Sequence, residues 1–412
     1  MKFEPFVSKG IKKSKKILGR ILPYNTHLKP SGVISVNMPD LPDAREIKVY
    51  PIYPHIENGL QIPNDLFDAC PAYWKPERQA SVDYIVVEIP NGRIYTDNES
   101  SVAFMTQSNK IIDNVSLSLK DGLAAAADNN NIFQQRFFSE PRKINGTVFS
   151  LLTGGAGLNN ISHWFVDVLP RLHLLKESGL YDQIDWFLVP SLRYDYQRET
   201  LSLLGIPSEK LLAGDQHPHM KADRVITSTA PRGNHTLMSE WLCQYIQNSF
   251  MPLAETSEPD QEEAPFLYIS RSDSSIRRVL NEEELIEKLK PYGFKVVVSS
   301  KLNIIQKIKL FSKAKVVLGA SGAGLINFMF CKPGTTAIEI FNKGFILLFF
   351  QNIAQKIKLD YHYIICEGNE AIQDAGQGQR EHVAIEIDKV LNLLADLAIR
   401  PGFEQMKQQT LV

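Results

Sequence analysis

Three groups of residues carry types and spacings that could do chemistry. His163 and Asp167 stand four apart in SHWFVDVL, which places both on one face at the start of a helix. A carboxylate beside an imidazole favours the charged ring and makes it a better base near neutrality. The second group is cationic: Arg271 follows the apolar run Phe266 to Ser270, and Arg277 and Arg278 fall in the polar loop after it. Guanidinium groups in that position can clamp a diphosphate bidentately. The third is VVLGASGAGLINFMF, residues 316–330, where Gly319, Ser321, Gly322 and Gly324 crowd into six positions. Glycines let a backbone turn sharply and approach a ligand, and a helix start offers N–H groups to an anion. Glu339, inside the next apolar run, is a carboxylate suited to ribose hydroxyls. Each group also has a plain structural alternative: packing glycines, solvated arginines, an ion pair at Glu339, and a helix-start His and Asp satisfied by backbone and water.

These residues need a scaffold, and the pattern predicts an alternating one. Val316–Leu318, the glycine turn, a helix reaching toward Pro333-Gly334, and a strand from Thr336 to Phe341 form a strand–turn–helix–strand unit. Strands are expected at 147–152, 184–189, 224–227, 266–270, 294–299 and 360–366. Helices are expected at 194–204, 239–250, 281–290, 304–313, 347–357 and 388–399. Asn281 with Glu284 three residues on resembles a capping box. Asn160 or Ser162 can cap the helix that carries His163, and Pro170 should kink or restart it. Alternation of this kind implies a mostly parallel α/β fold. Before it, Asp83 to Pro90 reads as a strand, with Asn91-Gly92 as a hairpin turn.

The domain reading follows the composition. Residues 1–23 form a basic amphipathic segment, with Lys9, Lys12, Lys13, Lys15, Lys16 and Arg20 among Phe6, Ile11, Ile17 and Leu18. Such a segment either rests on an anionic membrane face or stays a solvated tail. Residues 24–80 read as an irregular proline-rich wrap, 81–250 as a Rossmann-like domain with a β-rich start, and 251–265 as an acidic linker. Residues 266–380 form a second Rossmann-like domain, and 381–412 a closing strand and helix that could cross back to the first.

At 412 residues the chain is long enough for two domains or three. A net charge of −1 argues against a nucleic-acid binder, and no apolar run is long enough to span a bilayer. Cys70, Cys243, Cys331 and Cys366 lack metal-site spacing, which fits a reducing, cytoplasmic compartment. HExxH, GxSxG, GxxxxGK[ST] and CxxC are absent, and no clear DxD bridges a metal to a diphosphate.

HWFVDVLPRL (163–172), YISRSDSSIRRVLNEEEL (268–285), LFSKAKVVLGASGAGLINFMFCKPG (310–334) and AIEIF (337–341), in that order, resemble glycosyltransferase family 61. The resemblance runs from about Asp83 to Glu367. It implies a GT-B-like α/β fold: two Rossmann-like domains facing across a cleft, the first holding the acceptor and the second a nucleotide sugar. It also implies inverting transfer from a nucleotide-diphosphate donor, a UDP-sugar favoured, to a glycan hydroxyl, with no obligatory metal or cofactor. The setting would be capsule, lipopolysaccharide or exopolysaccharide synthesis, with a free or lipid-linked glycan acceptor and a cytoplasmic location, peripheral to the membrane if residues 1–23 bind it. Asp167 or His163 would supply the base, with a slight preference for Asp167. Arg271, Arg277, Arg278, Ser321, Gly322, Ala323, Gly324, Asn327 and Glu339 would hold the donor. Relatives often carry histidine where this chain has Ser321, so the arginines should bear more of the phosphate charge. A polysaccharide pyruvyl transferase and a non-catalytic glycan-binding scaffold are the competing readings.

Overall fold

The computed structural model describes residues 26–36, 46–98, 100–120, 123–233, 235–255, 264–368, 372 and 374–402. The basic segment 1–23 and residues 256–263 of the acidic stretch lie outside them. The chain divides into two compact units, Met1–Ile56 with Ser81–His235, and Glu57–Ala80 with Thr236–Val412.

The first unit is built on a mixed sheet. Its parallel part runs in space as Leu211–Ala213, Trp186–Val189, Arg142–Ser150 and His219–Ser228. Numbered along the chain, that order is 3-2-1-4, the arrangement of doubly wound nucleotide folds. Phe187, Leu188 and Val189 are buried in succession, as a strand covered on both faces requires. Gln79–Pro90 and Arg93–Thr96 both pair antiparallel with His219–Ser228.

Two expectations about this region are corrected. Asn91-Gly92 is not a hairpin: Pro90 faces Arg224 and Arg93 faces Lys221 on the same partner strand, so the chain keeps its direction. Asn91 takes a φ of 50° and its N–H donates to Asp223 O at 2.7 Å, beside the register shift between Ala222 and Arg224. The dipeptide absorbs an irregularity in the ladder instead of reversing it. Residues 24–80, read as irregular, include the twelve-residue strand Lys48–Gly59 and the helix Asn64–Ala69. Lys48–Gly59 pairs with Gln79–Pro90 at an edge of the sheet, where prolines such as Pro51 and Pro54 are tolerated.

The second unit has a five-stranded sheet, parallel throughout, in the order Phe294–Val297, Phe266–Ile269, Val316–Ala320, Thr336–Asn342, Asp360–Cys366. Along the chain this is 2-1-3-4-5, the other common doubly wound order. Helix Ile304–Ser312 buries Ile304, Ile308 and Phe311 at helical spacing, and Asn303 with Gln306 forms its capping box. The capping box expected at Asn281 does not form; its amide instead pairs with both backbone groups of Ile385, at 2.8 and 2.9 Å. Helix Glu240–Phe250, expected in the first domain, belongs to the second unit, where Phe250 meets the edge of Phe330 at 6.3 Å. The closing helix Ile387–Asp396 buries Val390 and Leu394 against a core containing Tyr268, Leu318 and Ile338, and so completes this unit rather than crossing back. No described helix is long and apolar enough to cross a membrane.

Candidate functional site

In an open α/β sheet, ligands bind beyond the carboxyl ends of the strands where the strand order reverses. In the second unit that point lies between Phe266–Ile269 and Val316–Ala320, neighbours in space that send their chains to opposite sides. Arg271 leaves the first of these strands and Ser321-Gly322 the second. A Cβ on Gly322 would overlap Nη1 of Arg271 and lie 2.6 Å from its Cζ, so glycine is required for the guanidinium to sit there.

Arg271 is buried and braces its own loop. Its Nε donates to Arg277 O at 2.6 Å, and Nη2 donates to Ser274 Oγ at 2.9 Å and Ile276 O at 2.8 Å. Its backbone N–H donates to Glu282 Oε1 at 2.9 Å. The loop so held presents Arg277, whose φ of 49° lies in the left-handed region. Arg277 Nε donates to Ser321 O at 3.3 Å, Nη1 donates to Gln379 O at 2.8 Å, and the guanidinium stacks over Phe345 at 4.9 Å. Burial and the adjacent Arg271 charge lower its pKa to about 10, so it stays protonated at neutral pH. Arg277, Ser321, Asn342 and Phe345 line a small pocket here.

The glycine turn leads into a 3-10 helix, Ala323–Phe330, opened by Leu325 N–H donating to Gly322 O at 2.9 Å. Asn327 clasps this helix from beneath: its Nδ2 donates to Ser299 Oγ at 2.9 Å and Gly324 O at 2.8 Å. Two expected donor residues are not brought to the cluster in the same way. Arg278 is exposed, and it is its backbone that is held, by His382 Nδ1 at 3.0 Å and Val383 N–H at 2.9 Å. Glu339 faces Gly319 in mid-strand and is 0% exposed, with the Tyr361 hydroxyl donating to its Oε2 at 2.7 Å. Burial pushes its carboxyl up to about 8, outweighing the hydroxyl donors and the Arg277 charge.

The first unit has a switch point of its own, between Arg142–Ser150 and His219–Ser228. Asn160 caps the helix that follows, accepting from Ser162 N–H at 2.9 Å. Trp164–Val168 then forms a π-helical turn, closed by Leu169 N–H to Trp164 O at 3.0 Å, and Pro170 restarts the helix as Arg171–Glu177. Pro170 lacks an N–H and its ring would press on the carbonyl four residues back; the wider turn relieves that conflict.

His163 Nδ1 and Asp167 Oδ2 are 2.7 Å apart on this turn. Arg232, in the loop after His219–Ser228, grips the same carboxylate with Nε to Oδ1 at 2.8 Å and Nη2 to Oδ2 at 3.0 Å. Burial alone would raise the Asp167 pKa, but Arg232 and His163 hold it well below the usual carboxylate range. Arg171 is fully buried and ties the helix to the strand end, with Nε donating to Asp167 O at 3.1 Å and Nη1 to Ser228 O at 2.7 Å. The side chain of His163 remains one-third exposed. The arrangement is a fixed carboxylate orienting a partly exposed imidazole.

Spacing pointed to the His163–Asp167 pair but not to Arg232, Arg171 or Tyr361. Arg232 comes from a loop far along the chain, and only the sheet order brings it to Asp167. Residues 161–338 match the family model described as Glycosyltransferase 61. No curated protein matches the chain.

Proposed function

We propose, from the match of residues 161–338 to the Glycosyltransferase 61 family model, that the chain transfers a sugar from a nucleotide-diphosphate donor to a hydroxyl of a glycan acceptor. The family itself implies a sugar donor and a glycan acceptor. UDP-sugar as donor, inversion at the anomeric carbon, independence of metal and a role in surface polysaccharide synthesis belong to this proposal. So does a GT-B arrangement, in which the first unit serves the acceptor and the second the donor.

The observation that carries it is the pairing of Arg271 with Gly322 at the switch point of the second sheet, which holds Arg277 beside Ser321. As the bond to the sugar breaks, negative charge grows on the diphosphate. Arg277, held by Ser321 O, Gln379 O and the Phe345 ring, is already fixed in place beside the glycine turn to receive it, with no reorganisation at the moment of reaction. Arg271 acts through Arg277, as a positioning residue.

On the acceptor side, an inverting attack needs a base for the hydroxyl proton. His163 takes that role in this proposal. Asp167, held bidentately by Arg232 and kept ionised, accepts protons poorly; it is better suited to orient the ring and stabilise the imidazolium once formed. The test is turnover of UDP-, GDP-, CMP- and dTDP-sugars with glycan acceptors, followed by NMR of the product's anomeric centre. Sugar transfer with inverted configuration supports the reading. Retention, or transfer of pyruvate from phosphoenolpyruvate with every nucleotide sugar inert, overturns it.

A further inference from the structure

The second unit contains another pocket, of about 400 Å³, on the outer side of its sheet. It is lined by Gln61, Ile62 and Pro63, by Gln351 and Gln355 of helix Phe349–Lys356, and by Leu359, Tyr361 and Tyr363. Asp360–Cys366 is the last strand of the sheet, so Tyr361 and Tyr363, two apart, share one face at its edge. Two strands separate this edge from the switch point.

No lysine, arginine, aspartate or glutamate lines this pocket; its polar groups are amides and phenols. They are partly used and partly open. Gln351 is 5% exposed; its Nε2 donates to Gln61 O at 3.3 Å, and its Oε1 has no hydrogen-bond partner among the described residues. Gln355 Oε1 accepts from Gln61 N–H at 3.1 Å. The hydroxyls of Tyr361 and Tyr363 donate to Glu339 and Asp65, at 2.7 and 2.6 Å, which fixes both rings. The rings lie 6.5 Å apart, tilted by 32°.

We propose that this pocket is a binding site for a neutral saccharide, separate from the site of transfer. Alternating hydroxyl donors and acceptors match amides that offer both, and the C–H face of a pyranose packs on a tyrosine ring. A pocket without charge gives a phosphate or uronate nothing to offset the loss of its hydration. An unsatisfied buried amide oxygen marks a place where a ligand hydroxyl or a water is missing. The volume suits one or two sugar rings. The proposal takes from the transferase reading only the expectation that the protein handles glycans. Its test is run without donor, so either can fail while the other stands.

The experiment is saturation-transfer NMR and calorimetry of the full chain with cellotriose, chitotriose and mannotriose, and with trigalacturonate as the charged comparison. At least one neutral trisaccharide is expected to bind, and trigalacturonate to bind at least tenfold more weakly. Gln355→Ala and Tyr363→Ala should each weaken binding fivefold or more, with the melting shift given by UDP unchanged from that of the parent. Gln355 is only half-buried, so that variant remains informative if Tyr363→Ala folds poorly. Absence of binding by all three neutral sugars, preference for trigalacturonate, or undiminished binding in Gln355→Ala would overturn the proposal.

Discussion

Gly322→Ala tests the geometry of the proposed donor site with a single added methyl. The new Cβ would overlap the Arg271 guanidinium, which holds the loop through Arg277 O, Ser274 Oγ and Ile276 O. Either the turn shifts or Arg271 is displaced. Overpacking of this kind costs about 1–3 kcal/mol. For a cooperative unit of some 200 residues, a loss of about 2 kcal/mol lowers the melting temperature by about 4–8 °C. The larger effect falls on function, because Arg277 is held by the loop that Arg271 braces. Donor-dependent turnover should drop by about 10²–10³, the usual consequence of losing one pre-placed donor to a developing anion. Calorimetry and initial rates of parent, Gly322→Ala, Arg271→Ala and the double variant form a closed cycle. Because both single changes remove the same brace, the double variant should be scarcely worse than Arg271→Ala alone. Additive losses, or a Gly322→Ala protein that melts and turns over like the parent, would refute the argument.

Further expectations concern the other charged groups. His163→Ala should lower kcat by about 10²–10⁴ with KM for the donor little changed, as loss of a general base does. Asp167→Asn leaves Arg232 facing a neutral amide in a partly buried site, so it should lose both activity and stability. The Asp167 carboxyl is depressed in the folded state, so its contribution is present above the ordinary carboxylate pKa and is lost as pH falls through the folded value. Acid unfolding of the parent should therefore be steeper than that of Asp167→Asn, as read by circular dichroism against pH. Glu339 runs the other way: its folded pKa is raised to about 8, so the folded state binds the extra proton and stability declines as pH rises toward that value. Glu339→Gln should melt higher than the parent at pH 8.5, with the gap closing toward pH 5 in scanning calorimetry.

What the sequence disclosed was mostly local. The strand, glycine turn, helix and strand from Val316 onward are found as expected, with the helix wound as a 3-10 run, because apolar runs and glycines act over a few residues. Asp360–Cys366 and the proline restart at Arg171 were legible for the same reason. Features set by distant partners were not. Asn91-Gly92 has the chemistry of a hairpin turn, but both flanking strands find the same neighbour, His219–Ser228. Asn281 begins a helix in the expected place, yet Ile385 claims its side chain. At the site, the sequence pointed to Arg271 as a phosphate ligand but not to its Nε and Nη2 holding the loop that carries Arg277, which depends on carbonyls the fold brings round. Glu339 looked accessible at a strand end; the pairing with Gly319 and the cover of Tyr361 bury it. The partner of Asp167 could not be inferred, since Arg232 reaches it only through the 3-2-1-4 order of the first sheet.

The most direct measurement is a structure of the protein with UDP bound. The account predicts the diphosphate beyond Ile269 and Ala320, within hydrogen-bond distance of the Arg277 guanidinium and the amides around Gly322. A nucleotide found elsewhere on the molecule, or one whose phosphates leave Arg277 and the glycine turn untouched, would contradict it.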